Sequence, residues 1–217
     1  MGKKRTIKKL VPKQLSILVW NLKIQTPILN TYALESPQLF TKLSSINDSK
    51  YEIREIRSQD SDTLRTAYDS YVKGAFKKKI PRRLKSPDWV GLGVFDLDTG
   101  ELAYLAWIMV NSIKYFEEFD IYLKKGEFLL KDGLCFPKYR HQGLHTRMEE
   151  ERINYCVKRG AQKVYIQIQD ENVKGKTSVI NNGYVLIKKN KVLFFPLFNI
   201  YREYKSALKR PFRKVIN

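Results

Sequence analysis

The stretch Gly133-Leu134-Cys135-Phe136-Pro137-Lys138-Tyr139-Arg140-His141-Gln142-Gly143-Leu144-His145 limits the fold more than any other part of the chain. An apolar run from Gly126 to Phe136 reads as a strand, it enters a turn that carries Arg140 and Gly143, and a helix from about His145 to Arg159 opens behind it. The first N–H groups of a helix have no intrahelical partners and carry partial positive charge, so a turn of this kind is expected to bind an anion. Lys158-Arg159 followed by Gly160 is a helix stop, with cations in the last turn and glycine beyond. Met148, Ile153, Cys156 and Val157 are the expected buried positions of this helix. Lys163 to Gln169 then reads as a strand parallel to the first, because a strand-helix-strand crossover returns in the same direction.

The flanks supply the rest of a sheet. Tyr51 to Arg57 alternates apolar and charged residues, as a half-buried strand does. Ser58 to Asp62 offers helix caps ahead of Leu64, Ala67, Tyr68 and Tyr71 at helical spacing. Trp89 to Asp96 and Glu101 to Val110 are β-rich and are joined by the hairpin signal Asp98-Thr99-Gly100. Phe116 to Leu123 fits neither period. Asn172 to Asn182 is a short helix ended by Gly183, and Tyr184 to Leu197 is expected to form two hairpin strands around Lys189-Asn190. The expected class is therefore mixed α/β (α+β): a mostly antiparallel sheet of six to seven strands flanked by helices, with one strand-helix-strand parallel pair.

Arg140-His141-Gln142-Gly143-Leu144-His145 resembles the R/Q-x-x-G-x-G/A pyrophosphate loop of the GNAT superfamily of acyl-CoA-dependent N-acetyltransferases, with Pro137 where that family often has a proline. Asn172 and Gly183-Tyr184 resemble its N-x-x-A/S…G-F/Y segment. The resemblance runs from about residue 51 to about 198 and implies acetyl-CoA as acyl donor. It places Leu134, Cys135, Phe136, Arg140, His141, Gln142, Gly143, Leu144, His145 and Asn172 at the cofactor, the backbone N–H of Cys135 on the thioester oxygen, and the pantetheine arm between Leu130–Phe136 and Lys163–Gln169. The sequence departs from the family at three places. His145 replaces the last small residue of the loop, Leu129 stands where some members have a glutamate base, and Val179 stands where a tyrosine often protonates the departing thiolate. Glu127, or Asp132 turned inward by a bulge, is the candidate base in this chain.

Lys and Arg number 41 against 22 Asp and Glu, a formal net charge of +19, which favours an acidic partner: nucleic acid, an anionic membrane surface, or a phosphorylated substrate or cofactor. Aromatic stacking motifs and zinc fingers are missing, so no specific nucleic-acid partner is expected. The expected organisation is a basic N-terminal extension over 1–49, a GNAT-like domain over 50–198 and a basic C-terminal tail helix over 199–217. The extension, with an amphipathic helix around Leu10 to Leu22, is either a solvated tail or a foot on anionic lipid. The tail helix, with Tyr201, Tyr204 and Leu208 on one face, either docks on its own domain or attaches to a membrane or partner. Lys73, Lys77, Lys78, Lys79, Arg82, Arg83 and Lys85 form either a solvated loop or a site for an anionic group of the acceptor.

Cys135 and Cys156 lack metal or redox spacing and are expected to be plain thiols, and with His141 and His145 the only histidines no metal is implied. No window approaches the eighteen or so apolar residues of a membrane span, and the short run Leu15 to Trp20 lacks a cleavage site. A cytoplasmic protein is expected, with peripheral contact to an anionic membrane open. The expected function is N-acetyl transfer to an amine of a small-molecule or lipid-linked acceptor, such as a nucleotide- or lipid-linked amino sugar. The alternative is a catalytically silent domain that binds CoA or a partner.

Overall fold

A computed structural model of the chain describes residues 27–40, 49–71, 79–110, 122–195 and 200–203. Eight strands, β1 (Ile28–Glu35), β2 (Tyr51–Glu55), β3 (Trp89–Asp96), β4 (Leu102–Met109), β5 (Glu127–Cys135), β6 (Lys163–Gln169), β7 (Val185–Phe195) and β8 (Ile200–Glu203), form one sheet in the order β2-β3-β4-β5-β6-β1-β7-β8. All neighbours are antiparallel except β5 and β6. Among the described residues four helices flank it: α1 (Ser61–Tyr71), α2 (Lys79–Lys85), α3 (Leu144–Lys158) and α4 (Val173–Asn181). The mixed, mostly antiparallel sheet with one parallel pair is the architecture that the hydrophobic periods lead one to expect.

Side-chain alternation tells the two faces apart. Tyr104 of β4 points to α3, where it meets His145, whereas Trp107, at odd spacing, points to α2, where Arg83 lies over its ring. Helices therefore cover both sides of β3 and β4, and every residue of β4 is buried. The β3–β4 hairpin closes as its turn residues dictate. Asp96 Oδ1 accepts from the N–H groups of Asp98 and Thr99, and Gly100 takes φ 69°.

The strand β1 lies inside the segment expected to precede the domain. It runs antiparallel between β6 and β7, with Tyr32 opposite Ile166 on one side and Leu186 on the other. Among the described residues the sheet thus begins at Ile28, not near residue 50. Asn30 to Leu34 are all buried, and a strand covered on both faces has no polar alternation to announce it.

The C-terminal end differs too. Lys189 and Asn190 do not turn: β7 runs through them, and Asn190 pairs with Leu29. Residues 200–203 form β8, antiparallel to β7, where the spacing of Tyr201 and Tyr204 suggests a helix. Extended pairing with β7 overrides that local pattern. The expected helix at Leu10 to Leu22, Phe116 to Ile121, Lys73, Lys77, Lys78 and the tail after Glu203 lie outside the described residues. Among the described residues no helix is long and apolar enough to cross a membrane.

Candidate functional site

The site is built where β5 leaves β6. The two strands pair in parallel only from Glu127↔Lys163 to Leu130↔Ile166. Beyond that point β5 follows β4 alone, while β6 continues beside β1. The cause is a bulge in β5. Leu105 opposes Leu134 and Trp107 opposes Lys131, so two steps of β4 face three of β5, and Asp132 takes a left-handed φ of 46°. A wedge-shaped gap opens between residues 131–135 and the end of β6.

Gly133, within the bulge, lets the strands come this close. A β-carbon there would lie 2.6 Å from the Tyr104 hydroxyl. That hydroxyl is 2.7 Å from Nδ1 of His145, and burial pushes the Tyr104 phenol up to about 12. His145 is open to solvent on its outer side. Burial of its inner edge lowers its pKa from the usual histidine value, against the opposing pull of Glu149. Beneath α3, Arg152 pairs with Glu149, and the Tyr184 hydroxyl donates to Glu149 at 3.2 Å.

Phe136 N–H donates to Ala103 at 3.0 Å, and successive strand amides point to opposite sides, so the N–H and C=O of Cys135 face the gap. Its carbonyl accepts from Nε of Arg140 at 3.3 Å. The Cys135 thiol is half-buried and its pKa is raised by that burial. Leu134 is half-buried opposite Leu105, and Phe136 is buried with Tyr68 and Tyr71 of α1 edge-on to its ring.

After a short 3-10 turn, Pro137–Tyr139, the chain enters the loop with positive φ at His141 (64°) and Gly143 (75°) and starts α3 at Leu144, which is buried. Two outside elements hold this loop. Glu101 of the β3–β4 hairpin accepts from Lys138 and from Tyr139, both at 2.6 Å, and the Tyr51 hydroxyl of β2 bonds the Gln142 side chain. No side chain caps the start of α3, and its first turn has no acid. The amides that open α3 are thus directed at the loop, with Arg140 and His141 exposed beside them, an arrangement that fits a phosphate group.

The remaining expected site residues divide. Asp132 is at the bulge, and its Oδ2 accepts from Arg83 at 2.7 Å. Arg83, expected in a basic surface cluster, instead has a fully buried side chain stacked 3.9 Å over the Trp89 ring. Guanidinium stacks on aromatic rings and pairs with carboxylates at once, which draws it inward where a lysine would stay out. Glu127 is at the other end of β5, eight residues from Cys135 and roughly 25 Å away along a strand, and it accepts from Lys124 N–H and the Tyr165 hydroxyl. The structure does not bring it to the gap. Asn172 caps α4, its side chain accepting from Gly175 N–H at 2.9 Å. Leu129 and Val179, two of the three departures, are core residues. Among the described residues no group of three or more His, Cys, Asp and Glu side chains could hold a metal.

No protein-family model matches the sequence, and no curated protein matches it. Solved structures match the fold. A tandem GNAT protein from the clavulanic acid biosynthesis pathway superposes with a TM-score of 0.57 at 10% identity over 77% of this chain and 52% of its own. A GCN5-related N-acetyltransferase from Sphaerobacter thermophilus gives 0.55 at 12% over 84% and 56%. The chain has the GNAT fold. A conserved protein of unknown function from Staphylococcus epidermidis is similar as well, with 0.57 at 13% over 84% and 66%. This GNAT-fold chain spans between about half and two thirds of the length of these proteins. At such identities the likeness concerns the fold.

Tyr104, Arg83, Tyr51 and Glu101 have no signal of their own in the sequence, because each acts through a partner far along the chain.

Proposed function

We propose that the protein is an acyl-CoA-dependent N-acetyltransferase. The observation that carries this reading is the bulged β5, which parts from β6 at Leu130 and runs straight into the uncapped start of α3. Acetyl-CoA would supply the acyl group as a thioester. The amides of Gln142 to His145 would hold its pyrophosphate, with Gly143 keeping side-chain bulk away from the phosphates and Arg140 adding charge at the rim. The N–H of Cys135, turned into the gap, would donate to the acyl oxygen and stabilise charge gathering there.

Transfer to an amine needs its neutral form, and an alkyl ammonium with a pKa of about 10 is mostly protonated at neutral pH. Asp132 is the carboxylate at the bulge, and Arg83 fixes it there. Its role is to hold the incoming ammonium and receive its proton. Val179, which is buried, stands where the resemblance places the tyrosine that protonates the thiolate, and Tyr184 is committed to Glu149, so the thiolate leaves unaided. A thiol with a pKa of about 8.5 is a tolerable leaving group. The acceptor is a small-molecule or lipid-linked amine, a nucleotide- or lipid-linked amino sugar being the preferred class because of the +19 charge.

Titration calorimetry with acetyl-CoA and with CoA, followed by thiol release over an amine panel, tests this. Micromolar binding and amine-dependent release of CoA are expected. Binding without turnover on any amine would favour the silent reading, for which the far placement of Glu127 speaks. No binding by folded protein would sink both.

A further inference from the structure

One residue past the end of the parallel pairing, the strands bring four polar side chains into a row. Lys131 of β5 and Gln167 of β6 stand at the mouth of the gap, and Lys131 Nζ donates to Gln167 Oε1 at 3.2 Å. Gln167 opposes Thr31 of β1, and its Nε2 donates to Thr31 Oγ1 at 3.4 Å. Thr31 in turn opposes Lys188 of β7. Lys131 opposes Trp107 of β4, so the row lies on the α1/α2 face, opposite α3.

The direction of these bonds decides what the row can bind. Donation runs from Lys131 to Gln167 and from Gln167 to Thr31, which occupies the amide and hydroxyl oxygens as acceptors. Gln167 keeps a second N–H and Thr31 its O–H as donors. With a lysine at each end, the row is a set of donors under positive charge, suited to an oxyanion.

Its position separates it from the α3 start. Four steps of strand, about 13 Å, separate Lys131 from Cys135, and the helix that opens at Gly143 packs on the other face. A group bound to the row therefore belongs to whatever enters the gap from the α1/α2 face. Asp132 is next in the chain to Lys131, and the bulge turns both toward that face.

We infer that Lys131, Gln167, Thr31 and Lys188 hold a phosphate or carboxylate of the acceptor whose amine is received by Asp132. This rests on the acetyltransferase reading and names the acceptor class: an amine with an oxyanion one to two strand spacings away, about 5–10 Å. The exposed Arg82 and Lys85 of α2 are not needed for it.

The test uses the full chain saturated with CoA, so that the α3 start is occupied. 3-Aminopropyl phosphate is titrated against 3-amino-1-propanol, and glucosamine 6-phosphate against glucosamine, by calorimetry and by the NMR signals of the Gln167 side-chain amide. Both phosphorylated amines are expected to bind at least tenfold more tightly than their neutral counterparts and to shift the Gln167 signals. Lys188→Ala should remove that preference while leaving CoA affinity within twofold, and Gln167→Glu, which sets a carboxylate in the row, should remove it too. Equal binding of each pair, no binding of either phosphate, or a preference that survives both variants overturns the inference. Were CoA not to bind at all, a phosphate preference lost in the two variants would leave this site standing while the acetyltransferase reading fell.

Discussion

The Tyr104 hydroxyl stands 2.6 Å from the point a β-carbon on Gly133 would occupy, and its other neighbour is the ring of His145 at the start of α3. The bulge in β5 and the opening of the helix are thus tied together through one buried phenol. Its ring cannot swing away without giving up the His145 bond. Gly133→Ala is expected to cost about 1–3 kcal/mol. Adding Tyr104→Phe removes the clashing oxygen and leaves the ring carbon at an ordinary 3.5 Å, so part of the loss should return. Urea denaturation of the two single variants and the double variant gives the coupling, and simple additivity would show that the pair does not interact.

Arg83 is the support of Asp132. With its side chain wholly buried, stacked on Trp89 and paired with the carboxylate at 2.7 Å, Arg83→Ala should destabilise the protein by about 3–5 kcal/mol. Arg83→Lys is not expected to restore it, since an ammonium cannot stack and pair in the same plane. Thermal unfolding of the two variants decides this, and full recovery with lysine would mean that charge alone is needed.

Gly143 has φ 75° at the start of α3. Gly143→Glu places a carboxylate against the amides expected to hold phosphate, and the acetyl-CoA affinity should fall by about two orders of magnitude. The backbone strain of a non-glycine residue there is only about 1–2 kcal/mol, so circular dichroism should still report a folded protein. Unchanged affinity would remove the central claim of the functional reading.

Asp60 couples stability to pH. Its carboxylate receives both guanidinium nitrogens of Arg54, at 2.9 and 2.8 Å, and the N–H of Arg57 at 2.7 Å. The Arg54 bonds, chiefly, hold it below the ordinary aspartate value of 3.8. A depressed folded pKa means the unfolded chain binds the proton more readily, so this contribution is present above 3.8 and is lost as pH falls through the folded value. Melting temperatures between pH 6 and pH 2.5 should fall less steeply for Asp60→Asn than for the parent chain. Parallel curves would show that other carboxylates govern acid unfolding.

Much of the site could be seen before the fold, because its signals are local. The Gly143 turn, the basic end of α3 ahead of Gly160, and the apolar runs of β3, β4 and β6 each lie within a few residues of the feature they produce. Which of Glu127 and Asp132 stands at the gap was not local. It depended on a bulge that exists only because β5 is held against β4 with one residue too many.

What the sequence alone determined is therefore the strand-turn-helix with Gly143 at its turn, the hairpin at Gly100 and the single parallel crossover, all consequences of backbone preference and hydrophobic period. Tertiary structure decided the rest: that Ile28–Glu35 enters the middle of the sheet, that Arg83 turns inward to Asp132, and that Gln167 meets Thr31 across 136 residues of chain. Such contacts leave no mark on the residues beside them in sequence. They are fixed by strand order and register, which only the assembled sheet sets.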